Sequence, residues 1–175
     1  MTIVHHTLQL QTNITQSLMY FLNYQEYYRS GSSMYTNGTL KNFFTNLTVE
    51  NGYPDSLEKL PLPCLAIEEG DNYSMENEVY GNNIKELRFS YTLWGFYGNQ
   101  QSDSLNRKKK NELSNDVKQL LEESEYMYYH EYPNFDSGSD LGISNVSVNN
   151  VPTTGTLPAD RHRFMVTFDL SYIKN

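Results

Sequence analysis

The chain has 175 residues, which is the length of one domain of ordinary size. It carries 13 Lys and Arg against 21 Asp and Glu, and the resulting net charge of −8 repels nucleic-acid phosphates and anionic membranes. This balance disfavours a DNA-binding module. Its one cysteine, Cys64, excludes an internal disulfide and any zinc or iron–sulfur site that needs several cysteines.

Export and membrane insertion are not expected. The N-terminus lacks the basic and apolar regions of a secretory signal. The longest apolar stretches are strand-sized and fall short of the roughly 18–20 residues that span a bilayer.

The first predicted element is a helix over about Thr12 to Tyr28. Its apolar residues recur close to helical spacing, and Thr12 or Asn13 is suited to cap its first turn. We expect the helix to end at Arg29–Ser33, where glycine and small hydroxyl residues favour turns. The apolar residues are Ile14, Leu18, Met19, Phe21 and Leu22.

Residues 30–60 are predicted to form an irregular insertion. Asn-Gly dipeptides and prolines recur in this segment, and they favour turns and short strands over long elements. A strand is predicted next, over Pro63–Gly70, because a compact apolar run ends there in an acidic loop.

A longer strand follows, centred on residues 87–93. Leu87, Phe89, Tyr91 and Leu93 occupy alternate positions. Because side chains alternate across a strand, these four predict one buried sheet face. Trp94, Phe96 and Tyr97 interrupt the alternation around Gly95, which predicts a bulge, or an edge at which the second face is also covered.

A second helix is predicted from Ser102 or Asp103, either of which is suited to the N-cap, to about Leu121. Its apolar face consists of Leu105, Leu113, Val117, Leu120 and Leu121.

This helix carries a basic run in its first half, which consists of Arg107, Lys108, Lys109 and Lys110. Glutamates lie near its end, the reverse of the arrangement that the helix dipole favours. An exposed helix face is the default interpretation of the run, and contact with phosphates or with an acidic surface of a neighbouring subunit are the alternatives.

The C-terminal third predicts two strands, one over Ile143–Val151 and one over His162–Ile173. The loop Asn149–Asp160 between them contains Pro and Gly, and is interpreted as an arm to a neighbouring subunit or as a hairpin tip. Because the sequence has no internal repeat and no domain-scale linker, residues 1–175 predict a single α+β domain. A mostly antiparallel sheet would pack against an N-terminal helix and a central helix.

Residue patterns for catalysis are weak. The histidines His5, His6, His130 and His162 lack zinc-ligand spacing. Cys64 lies in a Pro-flanked apolar run, where a cysteine behaves as a small hydrophobe. Glycine-rich phosphate loops and serine-nucleophile motifs do not occur. The sequence therefore predicts no catalytic residue, no metal ligand and no cofactor.

Glu68, Glu69 and Asp71 offer the one enzyme alternative. An acidic cluster at the end of a strand is suited to hold a divalent cation or to supply a general acid and base. The competing interpretation is a solvated polar loop, because acid–base catalysis requires convergent partners.

Aromatic residues are abundant, with 15 tyrosines and 8 phenylalanines. Aromatic enrichment is typical of the centres of buried interfaces, which indicates an obligate assembly. The alternative is that these side chains complete a core that is short of aliphatic residues.

The order of elements resembles that of the tail terminator or tail-completion proteins of tailed bacteriophages, also called neck proteins. Four segments carry the resemblance: Leu62–Ile67, Leu87–Gly98, Leu105–Leu121 and Asp160–Leu170. The resemblance covers about residues 1–30 and 60–175, and it rests on hydrophobic pattern and spacing.

The resemblance implies an α+β subunit that closes into a ring, usually of six copies, at the head-proximal end of the tail tube. Such a ring stops tube growth and contacts the tail tube protein and the neck or connector proteins, in a virion assembled in the host cytoplasm. An acidic chain suits a channel through which DNA passes without specific binding. The family has no catalytic residues to carry over.

Nine residues are expected at subunit or partner interfaces. They are the four of the basic run together with Trp94, Phe96, Tyr97, Val151 and Leu157. A small divalent-cation-dependent enzyme and another neck adaptor protein remain the alternatives.

Overall fold

The structure is a computed structural model. It describes residues 3–24, 26–27, 35–36, 47–56, 58–70, 77–79, 84–98, 102–124, 126–129, 140–149 and 161–174. Within these ranges lie helices α1 (Ile3–Tyr24) and α2 (Asp103–Glu123). The strands are β1 (Glu26–Tyr27), β2 (Tyr35–Thr36), β3 (Thr48–Asn51), β4 (Cys64–Glu69), β5 (Asn77–Val79), β6 (Ile84–Tyr97), β7 (Tyr126–Tyr128), β8 (Asp140–Asn149) and β9 (His162–Lys174).

Seven of the strands form one sheet in the order β3, β4, β6, β9, β8 and β7, with β5 also paired to β6. All pairs in it are antiparallel except β3 with β4, which is parallel. Strands β1 and β2 form a separate antiparallel pair. The predicted α+β class, with a mostly antiparallel sheet, an N-terminal helix and a central helix, is confirmed.

The sheet has two different faces. On one, which we call the core face, Leu93 of β6 lies opposite Val166 of β9 and Tyr91 lies opposite Phe168. These four side chains are buried in one cluster with apolar residues of α1 and α2. The other face, which we call the outer face, carries the residues between them, such as the half-buried pair Thr92 and Thr167.

Helix α1 is longer at its start and shorter at its end than predicted. The sequence has no glycine or proline before Gly31, so nothing stops the helix from beginning at Ile3. The prediction that Thr12 or Asn13 caps it is therefore wrong. Asn13 lies inside the helix, is buried, and donates from Nδ2 to the Tyr129 hydroxyl over 3.0 Å.

Helix α2 confirms Ser102 as the N-cap, since its hydroxyl accepts a hydrogen bond from the Leu105 backbone N–H. The predicted apolar face is confirmed at Leu113, Val117, Leu120 and Leu121, all buried. It is wrong at Leu105, which lies on the exposed side of the first turn, whereas Asn106 of the same turn is buried.

Strand β6 runs without interruption to Tyr97, so the bulge predicted around Gly95 is wrong. Its register with β9 is regular from Lys85 to Tyr97, and β4 pairs with its other side up to Phe96. It is therefore a central strand rather than an edge. The prediction that its second face is also covered is confirmed, because Phe96 packs there with Leu60, Cys64 and Ala66.

The irregularity lies instead in β8, between Ser144 and Ser147. Two residues of β8, Asn145 and Val146, lie opposite one residue of β9, which is the arrangement of a β-bulge. Asn145 has a φ of 55°, in the left-handed region that asparagine tolerates better than most residues.

Candidate functional site

An aromatic patch lies on the outer face of the sheet and consists of Tyr53, Trp94 and Phe96. The Tyr53 and Trp94 ring centroids are 5.2 Å apart, with their planes at 85°. Tyr53 and Phe96 are 5.8 Å apart at 69°. Both pairs are edge-to-face, the geometry in which the positive ring edge meets the negative ring face. The loop after β3 is thereby held against β6.

Two charged residues hold Trp94 in place. The Arg163 guanidinium lies 5.7 Å from the Trp94 ring centroid and donates to the Tyr53 hydroxyl over 3.1 Å. On the other side, Trp94 Nε1 donates to Glu68 Oε2 over 2.7 Å. A cation over the ring and a carboxylate at the indole nitrogen fix its orientation.

The aromatic residues predicted at an interface differ in exposure. Trp94 is half-buried at the surface of the outer face, beside Tyr53, which is 36% exposed. Phe96 is 1% exposed and lies under them in a small cluster. Tyr97 is half-buried and packs against the main core. Trp94 is therefore the member of this set that lies at the surface of the outer face.

An acidic pocket adjoins the aromatic patch, with a volume of about 280 Å³. Tyr53, Pro54 and Pro61 form part of its wall, and Glu50 and Asp55 supply carboxylates. Glu50 lies opposite Ala66 in the sheet register, which places it on the outer face. Lys59 is the one basic residue in the lining.

The basic run of α2 is divided between solvent and core. Arg107 Nη2 pairs with Asp103 over 3.0 Å, and Lys109 pairs with Glu112 over 2.7 Å. Lys108 is 4.0 Å from that same Glu112. These pairs at i+3 and i+4 supply the local support that the helix dipole does not give.

Lys110 and Lys109 are neighbours with opposite shifts in pKa. Lys110 is buried on the sheet side of α2, and burial, together with the nearby Arg107, lowers its pKa. The hydrogen bond to Glu112 raises the pKa of Lys109. Lys110 is therefore a packed residue, and the exposed part of the basic run is Arg107 and Lys108 with the half-buried Lys109.

The acidic cluster predicted as an enzyme alternative does not converge where the structure describes it. Glu68 and Glu69 are consecutive in β4, so their side chains lie on opposite sheet faces. Glu68 bonds Trp94 on the outer face, whereas Glu69 accepts from Thr15 Oγ1 of α1 over 2.5 Å. Two carboxylates so placed do not share one cation. Asp71 lies outside the described residues.

Glu69 belongs to a hydrogen-bonded chain under α1. Because Thr15 donates its one hydroxyl proton to Glu69, the Tyr91 hydroxyl, 2.9 Å away, is the donor to Thr15. Burial is the main cause that raises the pKa of Tyr91, and the Glu69 charge adds to it. The chain ties α1 to β4 and β6.

The remaining candidates are structural or lie beyond the described ranges. Burial raises the pKa of the Cys64 thiol, so the sulfur is protonated and a poor nucleophile. The buried His162 begins β9, and its Nε2 lies 2.7 Å from Asp103 Oδ1 at the start of α2. Val151 and Leu157, predicted in an inter-subunit arm, lie outside the described residues.

Sequence reasoning missed Tyr53, Arg163 and the acidic pocket. Tyr53 follows Asn51-Gly52, where a turn folds the next residues over the sheet, and Gly52 has a φ of 92°. Arg163 lies on the polar side of the alternating strand β9, and the regular β6–β9 register places it opposite Phe96. The pairing of β6 with β9 is the signal that would have placed Arg163 at this site, and the sequence alone does not show it.

No family model matches the chain, and no curated protein matches it. Of the described helices, neither is long and apolar enough to cross a membrane.

Proposed function

We propose that this chain is a structural virion protein of a tailed phage. It forms a ring, of six copies, at the head-proximal end of the tail, where it terminates the tail tube and joins it to the neck. Its partners are its own copies, the tail tube protein and the connector proteins. A neighbouring neck adaptor has the same properties with different partners.

The observation that carries the proposal is the position of the aromatic patch. Both helices pack on the core face, so the patch lies on the opposite side of the subunit. Its Trp94 and Tyr53 rings are held rigidly by Arg163 and Glu68, and rigid aromatic side chains are enriched at the centres of protein interfaces. Subunits of a ring contact one another through surfaces that are not buried in their own cores, and the aromatic patch is such a surface.

The net charge of −8 supports the same proposal. DNA that passes through a ring of acidic subunits meets no excess of cations on which to be retained. The enzyme alternative requires its carboxylates to converge, and the two that the structure describes, Glu68 and Glu69, lie on opposite faces.

The first experiment is the mass of the purified protein in solution, by light scattering or native mass spectrometry, alone and with tail tubes. We expect a closed ring, or a ring that forms only on tubes. A persistent monomer that ignores tubes would overturn the proposal.

Trp94→Ala tests the role of the patch. We expect about 30-fold weaker subunit association, the effect of removing a central tryptophan worth about 2 kcal/mol. Thr92→Ala, two residues away on the same face of β6, is the matched control and should associate like the wild type.

A further inference from the structure

The seven-stranded sheet is open at both sides. Strand β3 forms one edge, and the last residues of β8 form the other, because β7 covers β8 only at residues 140–142. Within the part of the chain that the structure describes, no strand pairs with the far side of β3 or with the far side of residues 146–149. An unpaired strand edge presents backbone donors and acceptors to which another chain can pair.

At the β3 edge, the outward backbone groups belong to Val49 and Asn51. The N–H groups of Thr48 and Gly52 donate to carbonyl oxygens of residues 63 and 67, over 3.1 and 2.7 Å. Since successive residues of a strand direct their backbone groups to opposite sides, every second residue from Thr48 onwards bonds β4. The N–H and C=O groups of Val49 and Asn51 therefore point to the free edge.

At the β8 edge, the outward backbone groups belong to Val146 and Val148. Opposite residues of an antiparallel ladder alternate between pairs that exchange hydrogen bonds and pairs that do not. Followed from β3 across the sheet, this alternation gives as hydrogen-bonded pairs Ala66 with Trp94, Leu93 with Val166, and Thr167 with Ser147. Because Ser147 bonds β9, its neighbours Val146 and Val148 direct their N–H and C=O groups away from β9.

The two edges match in strand direction. Strand β3 is parallel to β4, and three antiparallel pairings separate β4 from β8. The free edge of β8 therefore runs opposite to β3. When a second copy continues the sheet with its core face on the same side, its β3 meets this edge as an antiparallel partner, the arrangement that most pairs of the sheet already have.

The two edges also match in the faces of their side chains. Val49, Val146 and Val148 are half-buried and all pack on the core face. Residues with outward backbone groups are thus core-face residues at both edges, and opposite residues in a ladder share a face. Pairing joins core face to core face and covers the valines further. Neither stretch contains a lysine or a proline, the residues that commonly protect a free edge.

We propose that β3 of one copy of this chain adds to the free edge of β8 in a second copy and continues the sheet across the subunit boundary. Val49 exchanges backbone hydrogen bonds with Val148, and Asn51 with Val146, so that the four residues of β3 lie opposite the four that follow the β8 bulge. The inference rests on the proposed function only in requiring an assembly of identical subunits. Because the two edges differ, repeated contacts close into a ring or continue as a chain.

An engineered disulfide tests this register. Glu50 and Ser147 then lie opposite each other in a pair without backbone bonds, with Cα atoms about 4.5 Å apart, which a disulfide spans. Within one copy they lie at opposite edges of the sheet, four strand spacings or about 19 Å apart, too far to be linked. Both residues are exposed, and the native Cys64 is buried. Oxidation of Glu50→Cys with Ser147→Cys, where the wild type assembles, should link most chains into multimers.

The matched control is Glu50→Cys with Asn149→Cys. Asn149 is exposed and lies on the same edge and the same face as Ser147, two residues away. In the proposed register its Cα is diagonal to that of Glu50, at roughly 8 Å, beyond the reach of a disulfide. We expect about 10-fold less linked protein from this pair. Each single cysteine variant should give no species larger than a linked dimer.

A change of charge at position 147 tests the contact without a cross-link. Like charges directly opposite each other on paired strands are destabilising, and opposite charges are stabilising. We expect Ser147→Glu, which faces Glu50, to associate about 5-fold more weakly than the wild type. Ser147→Lys should associate at least as tightly as the wild type. Each variant changes one exposed side chain of the outer face, so both should fold normally.

Non-reducing electrophoresis and native mass spectrometry decide the outcome. Linked multimers from the Ser147 pair, with few from the Asn149 pair, support the inference. Equal linking in the two pairs, or no linking while the wild type assembles, overturns it and leaves the proposed function in place. The same holds for Ser147→Glu that associates as tightly as Ser147→Lys. A wild type that stays monomeric with tail tubes overturns both.

Discussion

The two faces of β6 differ in what holds them together. On the core face, Phe89, Tyr91 and Leu93 are buried against both helices, and the interactions are mostly apolar. On the outer face, Ser90 donates to Asp169 over 2.7 Å and Trp94 donates to Glu68 over 2.7 Å. The core face of β6 therefore contributes mainly to the stability of the fold, whereas its outer face presents side chains in a fixed polar geometry. Substitutions on the core face should lower the free energy of unfolding more than substitutions on the outer face.

The largest difference in the free energy of unfolding is expected between substitutions at two neighbouring residues of β9. Phe168→Ala should lower the free energy of unfolding by about 4 kcal/mol, because its ring is 2% exposed and its removal leaves a cavity. Thr167→Ala, on the outer face, should change it by less than about 0.5 kcal/mol. Urea unfolding measures both. Equal effects would contradict the assignment of the two faces.

A methyl group added to β6 should have the next largest effect. A Cβ at Gly95 would overlap the ring of Phe164, which is fully buried. Gly95→Ala should lower the free energy of unfolding by about 3 kcal/mol through overpacking. Combining it with Phe164→Leu should recover part of the loss, and an unchanged loss would contradict the proposed overlap.

A smaller loss of stability than at Phe168 or Gly95 is expected at the hydroxyl of Tyr91. Tyr91→Phe removes one hydrogen bond and should lower the free energy of unfolding by about 1 kcal/mol at pH 8. The folded state raises the pKa of Tyr91 above its ordinary value near 10. The stabilisation that the protonated Tyr91 gives to the folded state is therefore complete below pH 10. It is lost as the pH rises further, because Tyr91 in the unfolded chain then releases its hydroxyl proton.

Urea unfolding at pH 8 and at pH 10.5 measures that dependence. The difference in the free energy of unfolding between the wild type and Tyr91→Phe should be smaller at pH 10.5 than at pH 8. A difference that grows with pH would contradict the sign of the shift.

Periodicity was sufficient to predict the elements that have one clear apolar face. The alternation in β9 and in residues 87–93, and the helical spacing in α2, gave the fold class and most of the core. Periodicity does not report strand pairing, so the parallel partner β3 and the β8 bulge were missed. The end of β6 was misinterpreted because Trp94 and Phe96 are apolar residues on the outer face.

The candidate site was harder to predict, because it depends on contacts between distant segments. Tyr53 is 41 residues from Trp94 in sequence, and Arg163 is 110 residues from Tyr53. No local pattern relates them. The basic run was visible in the sequence, but the burial of Lys110 and the exposure of Lys108 depend on how α2 lies on the sheet.

The bulge at Asn145 and Val146 restricts how β8 and β9 fit together. Before it, the core-facing residues of β8 are the odd-numbered Leu141 and Ile143, and after it they are the even-numbered Val146 and Val148. A regular ladder that slides by two residues keeps every side chain on its own face. Moving the bulge along β8 does not, because a bulge two residues nearer the C-terminal end of β8 would turn Val146 to the outer face. The core-facing residues of β8 therefore fix the position of the bulge at Asn145 and Val146.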